Sequence, residues 1–283
     1  MANPVYLAKK VDELRNVDGK AARANPEDVG ARASERLGFF RGLDLAGKRV
    51  LDVGCGQGPD LLAMSRLGAR ELFGLDMAPN AVKLAGRVLE GKSAYLVVAD
   101  ALALPFRSGY FDVVNVSHML HHHPWPLVKT IISEIARVLK PGGMLVVREP
   151  CPPDERAALV AELVEVLHDL GALLKVAKNR PGLPEELRHY LYLRSWLFGF
   201  GHFYPTAFRD LLAQMGFKVE EMAVVGHHVD VDRLVRTMEE RARQLPFDSA
   251  EREYVEARIR DLKDKLASLG YKGDCRLLLV ARK

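Results

Sequence analysis

The hydrophobic positions of this chain change their period along its length. From about Lys48 to Glu149, short apolar runs of β type alternate with stretches whose apolar residues recur every three or four positions. Val50-Leu51-Asp52-Val53 reads as a buried strand closed by glycines, and Pro59 to Leu67 follows with helical spacing at Leu61, Leu62 and Met64. Glu71 to Asp76 is a second strand and Asn80 to Leu89 a second helix. Tyr95 to Ala99, Phe111 to Val116 and Met144 to Val147 supply three more strands. Between the last two, Leu127 to Leu139 is predicted as a helix that stops at the turn signal Pro141-Gly142-Gly143. Strands alternating with helices of this size predict right-handed crossovers and a parallel sheet covered on both faces, an α/β doubly wound core.

Outside that stretch the rhythm differs. The first 45 residues predict two short helices, the second from near Pro26 to Phe40. Residues 151–204 read as a helical insertion. From 205 the core resumes, with a helix from Pro205 to Met215, a strand from Phe217 to Val225 and a closing strand from Arg276 to Ala281. A second helical insertion covers about 229–268, where ten acidic and nine basic residues are intermixed. Glu239 and Arg243, Glu256 and Arg260, and Asp261 and Lys265 have the i,i+4 spacing of solvated helix pairs.

With 48% apolar and 28% charged residues, 283 residues suffice for a substantial core, which excludes a disordered tail or a disulfide-stapled miniprotein. A net charge of +4 is too mild, and its charges too mixed, to predict a nucleic-acid partner. Cys55, Cys151 and Cys275 are odd in number and far apart, which argues against a disulfide framework and for a reducing compartment. No run of ~18 apolar residues predicts a membrane span, and the first ten residues lack the apolar core of a signal peptide. A cytoplasmic location is expected, with the number of subunits left open.

The candidate chemistry begins at Gly54-Cys55-Gly56-Gln57-Gly58, three glycines at alternate positions between a strand and a helix. Glycine serves where a backbone turns tightly and where a ligand approaches main-chain atoms. Asp76 ends the second strand, 18 residues beyond Gly58, where a doubly wound sheet places a carboxylate that accepts ribose hydroxyls. Asp100 and Ala101 directly follow the third strand, where an acceptor and a backbone donor can read an adenine edge. Each has a plainer reading too: Asp76 can cap the next helix, and Asp100 can hold a turn. Together they point to a nucleoside ligand. The spacing G-x-G-x-G departs from the dinucleotide fingerprint G-x-G-x-x-G, and nearby Asp52 and Asp60 disfavour a pyrophosphate.

These motifs, with Met77, Phe111-Asp112 to His123-Pro124, and Arg137-Val138-Leu139-Lys140-Pro141-Gly142-Gly143, resemble class I S-adenosylmethionine-dependent methyltransferases. The nearest subgroup also contains the ubiquinone and menaquinone C-methyltransferases. The resemblance covers about 48–149. It implies a Rossmann-like, seven-stranded, mostly parallel sheet of order 3-2-1-4-5-7-6 with strand 7 antiparallel, residues 46–150 forming the cofactor-binding half. It further implies S-adenosyl-L-methionine as cofactor. Asp52, Gly54, Gly56 and Gly58 would surround its methionine part, Asp76 its ribose, Met77 the adenine face, Asp100 and Ala101 the adenine edge. Asn115 to Ser117 would pass under the sulfonium.

The acceptor side is expected at the carboxyl ends of the later strands, which carry Ser117, His118, Glu149, His227 and His228, with His121 to His123 close behind. Histidine suits a general base near neutrality, which makes His118, His121 and Glu149 the catalytic candidates. No tight metal motif accompanies them, and no metal is expected. Eight of the 21 aromatic residues fall within 190–208, punctuated by Gly199 and Gly201. Tyr190, Trp196, His202, Tyr204 and His227 are the candidate acceptor contacts, and the rings suggest an apolar or aromatic small molecule, methylated on carbon or oxygen. The alternatives are a methyltransferase of RNA or protein and a nicotinamide-dependent oxidoreductase. The absence of an Asn-Pro-Pro-aromatic motif (the matching position reads Asn115-Val116-Ser117-His118) weighs against the exocyclic amino-group methylases.

Overall fold

A computed structural model describes residues 14–15, 17–123, 125–150, 205–228, 231–245, 249–269 and 273–283. In chain order the elements are α1 (Pro26–Phe40), β1 (Arg49–Val53), α2 (Pro59–Arg66), β2 (Glu71–Asp76), α3 (Pro79–Val88), β3 (Ala94–Val98) and β4 (Phe111–Ser117). A 3-10 turn (Leu120–His122), α4 (Trp125–Val138), β5 (Leu139–Pro150), α5 (Pro205–Gln214), β6 (Lys218–His228), α6 (Val231–Gln244), α7 (Ser249–Leu269) and β7 (Gly273–Arg282) complete them. The helical insertion expected at 151–204 lies outside the described residues.

The seven strands form one sheet in the order β3-β2-β1-β4-β5-β7-β6. β1 pairs in parallel with β2 and β4, β2 with β3, and β4 with β5, while β7 runs antiparallel. This is the expected seven-stranded α/β sheet. The described residues fall into two compact units, one running through Glu149 and including Phe208–Ala223 and Leu278–Lys283, the other including Val224–Leu277.

In the first unit, the apolar runs of β1, β2 and β4 are buried because helices cover them. Val50, Leu72, Val113 and Val146 share a core cluster with Leu61, Leu62 and Met64 of α2 and with Phe40 at the end of α1. α1 starts where the sequence predicts: the Asn25 side chain accepts the Asp28 amide at 2.9 Å, and Pro26 occupies the first turn. Leu14 and Ala21, ahead of α1, pack on Ala78 and Ala81 of the second βα connection and its helix.

One boundary differs from expectation. Pro141-Gly142-Gly143 does not separate helix from strand but lies inside β5. Phe111 pairs with Leu139 and Val113 with Met144, so Lys140 to Gly143 bulge opposite Asp112. The chain's last residue stitches that bulge: Gly142 donates to the Lys283 carbonyl and Lys283 to the Gly143 carbonyl, both at 3.0 Å. A proline is tolerated in a strand at such a bulge.

The second unit shows a packed helical pair within the predicted excursion 229–268. Val235, Met238 and Ala242 of α6, and Val255, Ile259 and Leu262 of α7, are buried. Asp261 pairs with Lys265 at 2.9 Å and Glu256 with Arg260 at 3.8 Å. Arg243 instead donates to the Glu239 backbone carbonyl at 3.2 Å.

Candidate active site

The glycine loop is set by backbone geometry. Gly54, Gly56 and Gly58 have φ of +77°, +51° and +82°, values that side-chain-bearing L residues rarely adopt. At Gly54 a Cβ would lie 2.7 Å from Met119 Cγ, so the turn after β4 closes directly on the loop. At Gly56 a Cβ would meet nothing within 4 Å; it would project into open space.

The loop's amides are largely spent on the protein itself. Gly54 and Cys55 both donate to the Leu75 carbonyl at 2.9 Å, and Gly58 donates to the Cys55 carbonyl at 2.9 Å. Gly56 donates to Asp76 Oδ2 at 2.8 Å, while Asp76 Oδ1 accepts the Ala78 amide at 2.9 Å. Asp76 thus spans from the loop to the start of α3, at the carboxyl end of β2, with further acceptor capacity on both oxygens. Amides so engaged are not offered to a pyrophosphate, and Asp60 in the first turn of α2 adds negative charge where such a group would sit.

Asp100 accepts the Leu102 amide at 3.0 Å, as the turn reading anticipates, and Ala101 beside it is buried. Met77 is half-buried next to Asp76. The structure therefore brings Gly54, Gly56, Gly58, Asp76, Met77, Asp100 and Ala101 to one rim, the carboxyl ends of β1, β2 and β3.

Asp52 and Asn115 lie deeper. Asn115 is fully buried and donates through Nδ2 to Asp52 Oδ1 at 2.7 Å and Asp60 Oδ2 at 3.2 Å, with Ser117 Oγ at 3.5 Å. Burial first, and then the Asp60 charge, push the Asp52 carboxyl up to about 8. Asp60 is balanced by Arg36 of α1 at 2.6 Å and by Arg148 at 3.8 Å. Arg32, one turn before Arg36, donates to the Gln57 side chain within the loop. Asp18 accepts the Asn80 amide at 2.6 Å and its side-chain amide at 2.8 Å, at the start of α3. The segment before β1 is thus tied to the loop and to the helix beyond Asp76. Of these partners, sequence reasoning missed Arg32, Arg36 and Asp18. The i,i+4 spacing of the two arginines was visible; their partners were not.

On the far side of the loop, His118 directly follows β4 with φ +53°, an uncommon value for a non-glycine residue, while its amide still donates to the Arg148 carbonyl at 2.9 Å. The reversal brings His121 onto Glu149: His121 Nδ1 and Glu149 Oε2 are 2.6 Å apart. Glu149 is fully buried, and its Oε1 accepts the Met119 and Leu120 amides at 2.8 and 2.9 Å. His118 stands beside this pair, its ring 6.1 Å from that of His121. His227 lies in β6, within the second unit. Tyr190, Trp196, His202 and Tyr204 lie outside the described residues. Among the described residues no cluster of histidine, cysteine and acidic groups is arranged to hold a metal ion.

Residues 51–147 match the family model described as a methyltransferase domain. The demethylmenaquinone methyltransferase of Thermus thermophilus is 34% identical over 183 residues, 62% of this chain and 77% of that one. The chain belongs to the class I S-adenosylmethionine-dependent methyltransferases. A ubiquinone biosynthesis O-methyltransferase of Xanthomonas oryzae is 44% identical over 106 residues, 36% of this chain and 43% of that protein. In fold, a methyltransferase-like crystal structure from Bacillus halodurans superposes with a TM-score of 0.59 at 19% identity, covering 88% of this chain and 99% of its own.

The cofactor of this methyltransferase is S-adenosylmethionine, and the residues present fit it. The open space at Gly56 admits a ligand against bare backbone. The buried Asn115 Oδ1 has no hydrogen-bond partner among the described residues. The acidic rim suits a donor carrying an amino group and a sulfonium. Neither alternative, an oxidoreductase or a methyltransferase of macromolecules, finds support in the family match or the relatives.

Proposed function

We propose that the enzyme methylates a small, largely apolar acceptor that carries a hydroxylated ring of the quinone type. The observation that carries the donor side is the Gly56–Asp76 arrangement: bare, left-handed backbone facing open space, held by a carboxylate that keeps acceptor capacity for ribose hydroxyls. When bound, S-adenosylmethionine supplies an electrophilic methyl group. In this assignment Asp76 holds the ribose, Met77 packs on adenine, Asp100 and Ala101 read its edge, and Gly54, Gly56 and Gly58 leave room for the methionine part. Asn115 and Ser117 line the floor beneath the reacting sulfur, with Asp52 supporting Asn115 from below.

The acceptor assignment is supported by the two relatives named for quinone biosynthesis and by the density of aromatic side chains within 190–208. Tyr190, Trp196, His202, Tyr204 and His227 are the residues assigned to contact that acceptor, an assignment made from the sequence alone. A cytoplasmic location is part of this proposal; among the described residues no helix is long and apolar enough to cross a membrane. The test is incubation with methyl-labelled cofactor and a panel of hydroxylated quinones, simple phenols, RNA and protein. Label on the quinone arm is expected; label confined to RNA or protein would refute the assignment.

A further inference from the structure

β3 forms one edge of the sheet. Sheet edges are normally guarded by charge or proline, because a row of outward main-chain groups invites pairing. From Ser93 to Ala99 this strand has neither. Tyr95 is 54% exposed and Val98 50%. One face of the Tyr95 ring stacks on Phe73 at 4.8 Å, yet half of the residue stays in solvent. The hydrogen bonds to β2 fix which main-chain groups face outward. Leu72 donates to the Ser93 carbonyl at 2.9 Å, and Ala99 to the Asp76 carbonyl at 3.1 Å. Tyr95 and Val97 therefore turn their main-chain groups toward β2, while Ala94, Leu96 and Val98 turn theirs away. The Ala94 amide is taken by the Lys92 carbonyl at 2.9 Å; its carbonyl points outward. Beside this edge, α3 carries an exposed glycine in its interior, Gly86. Among the described residues a Cβ there would meet Leu96 Cδ1 alone, at 3.9 Å. Glycine in a helix costs about 1 kcal/mol against alanine, and packing within the chain gives no reason for it.

We infer that β3 pairs with β3 of a second copy of this chain, antiparallel about a two-fold axis at Leu96, so that one sheet runs through both subunits. The edge is self-complementary about that axis, as a closed two-fold interface requires. Leu96 exchanges both of its main-chain hydrogen bonds with its own copy, and each Val98 amide donates to the partner's Ala94 carbonyl. Tyr95 stands opposite the partner's Val97 at two symmetric places, an aromatic ring against a β-branched side chain. Lys92 stands opposite the partner's Asp100, so opposite charges meet at both ends of the paired strands. Asp100 acts here through its charge, with Oδ1 still on the Leu102 amide. The register is specified by those charges: an axis at Ala94 or at Val98 would set Lys92 against Leu96 or Leu104 instead. Opposed residues of an antiparallel pair point to the same face, so both Leu96 side chains and both copies of α3 lie on one side of the sheet. Gly86 leaves room for them beside the axis.

The experiment is sedimentation equilibrium of the intact protein across the micromolar range, as wild type, Gly86→Arg and Lys92→Glu. The wild-type mass should rise with concentration to twice the 31.5 kDa of the chain. Gly86→Arg fills the room at the axis while raising the helix propensity of α3. It should stay monomeric, and at dilutions where both proteins are monomers it should melt no lower than wild type. Lys92→Glu sets like charges face to face at both ends and should weaken the dimer about tenfold or more. Amide hydrogen exchange read by NMR locates the contact: the Leu96 and Val98 amides should slow as the wild-type concentration rises and stay fast in Gly86→Arg. A wild type that remains at the mass of one chain throughout would overturn the pairing. So would a dimer that both substitutions leave intact, or one in which the Leu96 and Val98 amides exchange as fast as in the monomer.

Discussion

Asp76 is the most informative single residue of the donor site. Its two oxygens hold the Gly56 and Ala78 amides, so the protein itself fixes the carboxylate's orientation, as the proposed ribose contact requires. Asp76→Ala is expected to weaken S-adenosylmethionine binding by about 1–3 kcal/mol in calorimetry, the worth of charge-assisted hydrogen bonds. Gly56→Ala tests the open space beside it. A left-handed alanine costs about 1–2 kcal/mol of stability, which urea titration should register as a modest loss, whereas cofactor affinity should fall much further. A folded variant that binds normally would show that no ligand approaches that backbone. Asp52 behaves differently because burial keeps its proton on to about pH 8. Its folded-state pKa is raised, so between about pH 4 and 8 unfolding releases a proton and stability falls as pH rises. Asp52→Asn keeps an acceptor for Asn115 and removes that proton; its stability relative to wild type should increase across this pH range in thermal melts. The reverse slope would mean that Asp52 is charged in the native state.

At the level of elements, α1 is the tie between the amino-terminal segment and the cofactor loop. Arg36 reaches Asp60, which is nearly inaccessible, and Arg32 reaches Gln57. Arg36→Ala leaves a buried carboxylate with the Asn115 amide and, among the described cations, the more distant Arg148, and should cost up to roughly 3 kcal/mol in urea unfolding. The elements themselves were largely legible. α1 follows from an asparagine cap, a proline at its first turn and periodic apolar residues; the five strands through Val147 follow from short β-type runs between glycines. The bulge in β5 was not legible, because a proline with two glycines is a local stop signal and its partner, Lys283, is 140 residues away. Likewise the spacing of Glu239 and Arg243 suggests an ion pair, but a backbone carbonyl took the guanidinium.

For the molecule as a whole, the strand order decides where chemistry can occur. The winding direction reverses between β1 and β4, the place where open α/β sheets bind ligands at the strands' carboxyl ends, and the residues singled out by motif, Gly54, Gly56, Asp76, Asp100 and Ser117, end or follow the strands there. That placement was readable because topology follows from alternation and right-handed crossovers. The protonation of Asp52, the grip of Glu149 on His121 and the positive φ of His118 were not, since each depends on packing between segments distant in sequence. On the proposed acceptor assignment, Trp196→Ala and Tyr204→Ala are expected to raise the KM for the quinone-type acceptor several-fold while leaving cofactor affinity unchanged. The measurement that bears most directly on the account is calorimetric titration of the purified protein with S-adenosylmethionine and, separately, with a reduced nicotinamide dinucleotide. Saturable one-to-one binding of the sulfonium, lost in Asp76→Ala, with no heat from the dinucleotide, is the predicted result. Binding of the dinucleotide alone, or sulfonium binding indifferent to Asp76, would contradict it.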